Sequence, residues 1–131
     1  MTYLVDSDWV ADYLKGRQHA VQLLDSLFPD GMVISIITFA EIYEGIYYGS
    51  DPKRNEETFA RFLRGVDVLG INRPVARRFA VVRGALREAG QLIPQPDIFI
   101  AATALHYDLS LVTRNLSDFQ RIPDLRLHGA G

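Results

Sequence analysis

Four acids in this 131-residue chain lie in settings that could give them chemical work. Asp6 follows Tyr3-Leu4-Val5, Glu41 lies within Thr38-Phe39-Ala40-Glu41-Ile42, Asp97 opens Pro96-Asp97-Ile98, and Asp118 closes Arg114-Asn115-Leu116-Ser117-Asp118. Carboxylates brought together repel. At about 4 Å and an effective dielectric near 20 each pair costs roughly 4 kcal/mol before screening, so such a cluster keeps protons or holds a cation. The chain has no cysteine, and none of its three histidines neighbours these acids in sequence. Oxygen-only donors favour Mg2+ or Mn2+ over zinc. A divalent ion on carboxylates suits phosphoryl chemistry, because it acidifies a bound water and neutralises the attacked phosphate.

Each acid needs an element to present it. Pro96 to Ala104 reads as an amphipathic or wholly buried helix, since Ile98, Phe99, Ile100 and the alanines belong in a core. Proline suits the first helical positions, and Asp97 in the first turn faces the positive end of the helix dipole. Asp6 falls at the carboxyl end of a short buried strand that runs into a helix carrying Trp9, Val10, Tyr13 and Leu14. In open α/β sheets that end faces the ligand crevice. Met32 to Ile36 is a second β-branched strand, followed by a helix from near Thr38 that bears Glu41. Leu109 to Thr113 is another buried strand, with Asn115 and Asp118 directly after it. Plainer roles exist for each acid taken singly. Asp6 or Asp8 reads equally as a helix N-cap, Glu41 as a solvated helix residue, and Asp118 as a capping or turn-forming acid.

The rest of the chain alternates between strand and helix. His19 to Phe28 reads as a helix with Val21, Leu24, Leu27 and Phe28 on one face, and His19 as a surface or capping residue. Gly45 inside the third helix suggests close packing there, and Tyr43, Tyr47 and Tyr48 suggest a core or dimer contact ahead of a base-stacking platform. Gly49 to Pro52 breaks the chain, Asn55 to Gly65 forms a helix, and Val66 to Leu69 a strand at the sheet edge. A long helix from Arg73 to Ala89 carries Arg77, Arg78, Arg83 and Arg87, a solvated face that is also a candidate phosphate rim. Leu125 to Leu127 forms a final short strand. Without repeats or linkers, the alternation argues for one α/β domain over residues 1–131, with a mostly parallel sheet and helices on both faces.

Composition narrows the function classes. Apolar residues are 48% of the chain, which fits a folded domain rather than disorder. The absence of cysteine excludes disulfides, thiolate zinc sites and thiol catalysis. No apolar run is long enough to span a bilayer, and the N-terminus lacks a basic-then-apolar leader, so a cytoplasmic protein is expected. Net charge is −2 with histidine neutral, so any nucleic-acid signature must be local.

In order and spacing, the segments around the four acids resemble those of the PIN-domain ribonucleases, and within them the VapC toxins of bacterial toxin–antitoxin pairs. They are Val5-Asp6-Ser7-Asp8, Ser35 to Gly45 with its Glu41-x-x-x-Gly45, Pro96-Asp97 to Ala104, and Leu111 to Phe119. The resemblance implies a Rossmann-like α/β/α sandwich. It makes Asp6, Glu41, Asp97 and Asp118 an acidic quartet for Mg2+ or Mn2+, with Asp6 and Asp97 closest to the ion. Ser7, Thr38, Thr113 and Asn115 become supporting groups, with Ser7 and Thr38 bonding the carboxylates or the bound water. Arg83, Arg87 and Arg114 are candidate RNA contacts. The implied activity is hydrolysis of RNA phosphodiesters to a 5′-phosphate and a 3′-hydroxyl. The implied partners are RNA, a VapB-like antitoxin and a second copy of the chain in a homodimer, with no membrane.

Overall fold

A computed structural model describes residues 2–129. Its centre is a parallel sheet of β1 (Tyr3–Val5), β2 (Met32–Ser35), β3 (Asp67–Leu69) and β4 (Ser110–Val112), in the order β3-β2-β1-β4. Successive side chains on a strand point to opposite faces, and the sequence fills both faces with apolar groups. Leu4 and Leu111 enter one core, while Val5, Ile34 and Val112 enter the other.

The helices divide accordingly. On the Val5 face lie α1 (Ser7–Leu14), α2 (Gln18–Leu27), α3 (Ile36–Tyr47) and α4 (Pro52–Phe62), which contribute Val10, Leu24, Ile42 and Phe59. On the Leu4 face lie α5 (Arg73–Glu88), α6 (Gln95–Tyr107) and the single turn α7 (Leu116–Phe119), contributing Leu86, Ile98, Ile100 and Phe119. The result is the three-layer α/β/α sandwich that the alternation implied. Among the described residues no helix is long and apolar enough to cross a membrane.

The stretch from Ile98 to Ala104 is buried at every position but Phe99, which is half-buried, so α6 is an interior helix. Phe79 of α5 stacks on Phe99 at 3.9 Å between ring centroids. α6 follows α5 after a short connection and packs against it, so the two run antiparallel.

Several boundaries differ from the sequence expectation for local reasons. The third helix starts at Ile36 rather than near Thr38, because the Ser35 hydroxyl accepts the Ile37 N–H at 3.0 Å and caps it. The fourth starts at Pro52 rather than Asn55, because Asp51 takes a left-handed conformation (φ 54°) and its carboxylate accepts the Arg54 N–H. Residues 125–127 form only a single bridge, between Leu127 and Leu111. Tyr43 is half-buried, but Tyr47 and Tyr48 are 62% and 89% exposed, so the three do not form a core cluster. Nothing packs where a Gly45 side chain would project. Gly49 is the constrained position, since a Cβ there would lie 2.6 Å from the Gly45 carbonyl oxygen.

Candidate active site

Sheet order decides where the acids meet. From β1 the chain moves to β2 and β3 on one side and returns to place β4 on the other. The point of reversal, between the carboxyl ends of β1 and β4, is where open α/β sheets form their crevice. Asp6 follows β1 there and Thr113 follows β4. The Thr113 hydroxyl donates to Asp6 Oδ2 at 2.7 Å, closing the two strand ends across 107 positions of sequence. The same hydroxyl accepts the Asn115 N–H at 3.1 Å.

Asp6 is also the N-cap of α1. Its Oδ1 accepts the Ser7 N–H at 2.8 Å while its backbone is extended. Capping and pocket roles therefore coincide in one residue. At 8% exposure the Asp6 carboxyl is pushed above its ordinary value, by burial first; the bonds from Thr113 and Ser7 oppose that rise.

The other acids reach the same edge on helices. Strand and helix run in opposite senses in such units, so the start of α6 lies at the carboxyl edge of the sheet. It carries Asp97 as its third residue. Burial, then the charges of Asp6, Asp118 and Asp8, raise the Asp97 carboxyl from 3.8 to about 6. Glu41 lies on the second turn of α3. Its carboxyl is raised by burial, then by Asp6 and Asp97, with the Ser7 hydroxyl opposing. Asp118 on α7 accepts from Asn115 Nδ2 at 3.0 Å and lies 3.6 Å from Arg121. The charge of Asp6 thus bears on both Glu41 and Asp97, and that of Asp118 on Asp97. Among the described residues, however, no three carboxylate or imidazole groups are drawn tightly enough to cage an ion as they stand.

The supporting residues divide. The Ser7 N–H and the Thr113 hydroxyl bond Asp6, and the Asn115 amide bonds Asp118. Thr38 does not bond a carboxylate: its hydroxyl is fully buried and has no protein partner. Sequence reasoning did not include Asp8, an exposed residue whose charge helps raise the Asp6, Glu41 and Asp97 carboxyls. The Asp-Ser-Asp spacing was the available signal. Arg121, three residues beyond Asp118, was also missed.

The arginines differ in setting. With Phe79 against Phe99 in an antiparallel pair, Arg83 lies level with Gln95 at the start of α6, and Arg87 lies one turn further on. Arg83 Nε is buried without a partner, and Arg87 is exposed. Arg114 is not free. Its guanidinium lies 4.2 Å from the Trp9 ring centroid and donates to Asp12 Oδ2 at 2.7 Å. His19 is an exposed member of that group rather than a cap.

A parallel β3-β2-β1-β4 sheet with acids gathered at its point of reversal defines a PIN domain, and the family model for the PIN domain matches residues 3–125. Ribonuclease VapC2 of Haemophilus influenzae is 32% identical over 126 residues, covering 96% of each chain. The tRNA(fMet)-specific endonuclease VapC of Salmonella typhimurium is 27% identical over 127 residues, covering 97% of this chain and 96% of that one. The crystal structure of VapBC2 from Rickettsia felis, bound to a DNA fragment from its promoter, superposes with a TM-score of 0.89. It is 25% identical and covers 97% of each chain. The present chain belongs to the VapC branch of the PIN-domain family.

Proposed function

We propose that the chain is a magnesium- or manganese-dependent endoribonuclease of the toxin–antitoxin type. The observation that carries this reading is the buried Asp6 at the sheet's point of reversal, whose charge acts on Glu41 and Asp97, with Asp118 acting on Asp97 in turn. The relatives named as ribonucleases and the solved VapBC complexes support it. The partners are RNA, a VapB-like antitoxin and a second copy of the chain, and the setting is the cytoplasm.

The donor set fits a hard divalent cation, being oxygen-only, partly buried and carrying unfavourable negative charge. Asp6 and Asp97 would hold the ion most directly, with Glu41 and Asp118 completing its surroundings. When bound, the ion supplies positive charge for the phosphate and acidifies water, giving hydrolysis to a 5′-phosphate and a 3′-hydroxyl. The protein's own groups do the positioning. Thr113 and the Ser7 N–H fix both Asp6 oxygens, and Asn115 fixes Asp118. The Asp97 carboxyl, raised to about 6 by burial and its acidic neighbours, would be returned to the carboxylate form by a bound cation.

The test is cleavage of total RNA by purified protein. Mg2+ or Mn2+ should support it, EDTA should stop it, and Asp97→Ala should lower it at least a hundredfold. Equal cleavage by wild type and Asp97→Ala would remove the proposal.

A further inference from the structure

Beside the acid pocket lies a second cluster of opposite sign. Asp12 of α1 collects Arg17 Nε on Oδ1 at 3.1 Å and Arg114 on Oδ2 at 2.7 Å, with His19 Nε2 at 3.4 Å from Oδ2. Arg114 also lies 2.8 Å from His19 Nε2 and over the Trp9 ring. One carboxylate thus serves two guanidiniums and leaves a surplus of at least one positive charge, in a chain whose net charge is −2. A single arginine would have satisfied Asp12. The two cationic contacts hold the Asp12 carboxyl below its ordinary range, so it stays ionised and keeps the group assembled.

The cluster is placed by the elements that build the pocket. Arg114 follows Thr113, whose hydroxyl holds Asp6, and Trp9 and Asp12 lie on the helix that Asp6 caps. The Arg17 and Arg114 side chains remain 57% and 36% exposed, so both guanidiniums keep open donors. Trp9 restricts Arg114 by cation–π contact, and a pre-oriented planar fork suits phosphate oxygens.

We propose that Arg114, Arg17 and His19 form a phosphate subsite for single-stranded RNA, gripping a backbone phosphate that flanks the one at the acid pocket, with Trp9 and Asp12 as positioning residues. This rests on the ribonuclease reading and adds where the strand is held.

The experiment measures binding of a fluorescein-labelled, mixed-sequence single-stranded oligoribonucleotide across a salt series. It uses Asp97→Asn protein to prevent cleavage. Arg114→Ala and Arg17→Ala should each weaken binding about tenfold and flatten the log K against log salt slope by about 0.7, as for one lost phosphate contact on a single strand. Arg114→Lys should keep the slope while losing part of the affinity, because charge remains but the fork does not. In cleavage assays with Asp97 intact, Arg114→Ala should raise KM more than it lowers kcat. Arg64→Ala is the control, since Arg64 precedes β3 and so lies toward the opposite edge of the sheet. If both alanine variants match that control in affinity and slope, the subsite is refuted even where the unsubstituted protein cleaves RNA. Absence of cleavage by the unsubstituted protein counts instead against the ribonuclease reading.

Discussion

Asp97→Asn should stabilise this protein in metal-free buffer and leave it less responsive to metal. The Asp97 carboxyl is held at about 6 in the folded chain, against 3.8 ordinarily. A carboxyl raised in this way favours the fold while protonated. Its contribution is fully present below about 4 and is lost as pH rises through about 6. Ionised at pH 7.5, it opposes folding by no more than about 3 kcal/mol. The group is only partly buried, so solvent screening reduces the expected size to about 1 kcal/mol. Asparagine keeps the shape and removes the charge. In EDTA, the stability gained by Asp97→Asn should therefore be near zero below about pH 4, grow between about pH 4 and 6, and level off above. Urea denaturation of both proteins at several pH values measures this, and taking the difference cancels the titration of other groups. Mg2+ should then stabilise wild type more than the variant, because a ligand binding the folded state shifts it by mass action. A variant less stable than wild type at pH 7.5 in EDTA, or a gain that shrinks with rising pH, would refute the reasoning.

Other substitutions separate structure from chemistry. Asp6→Ala should lose both RNA cleavage and the α1 cap, costing about 0.5–2 kcal/mol, whereas Asp6→Asn should lose cleavage and keep most of the cap. Cleavage assays beside urea midpoints distinguish the two. Thr113→Val should cost about 1–3 kcal/mol, because Asp6 loses a donor and the Asn115 N–H loses its acceptor. A change in unfolding free energy below about 0.5 kcal/mol would place that hydroxyl among neutral surface positions. Mg2+ at a hundredfold its Kd should stabilise EDTA-stripped wild type by about 2.7 kcal/mol in thermal unfolding, and an Asp6→Asn, Asp97→Asn double variant much less.

The fold was legible where burial dictated residue type. Leu4-Val5 and Leu111-Val112 are apolar on both faces because their strands are covered on both sides, and the run from Ile98 to Ala104 is apolar because α6 is enclosed. Capping was harder to read, because Ser35 and Asp51 act through backbone geometry that extends each helix by a turn or less. At the site, the position of Asp6 after a strand was enough to suggest its role. What the sequence could not convey was that Asp6 caps a helix and lines the pocket at once, so the two readings were never alternatives. Asp8 read as an N-cap equivalent to Asp6, and only the backbone geometry shows that Asp6 is the one that caps α1. The pairing of Arg114 with Asp12 joins residues 102 apart and leaves no local pattern.

The union of Asp6 with Thr113 also has a consequence in time. During synthesis the first strand emerges early, but its companion β4 leaves the ribosome only after most of the polypeptide has been made. Until then a nascent chain holds its acids apart, with nothing to bring the end of the first strand against the closing segment. Distant pairings of this kind form late and slowly. A fragment interrupted before Thr113 lacks the hydroxyl that joins the two strand ends, so this edge of the sheet closes only when the last part of the polypeptide is present.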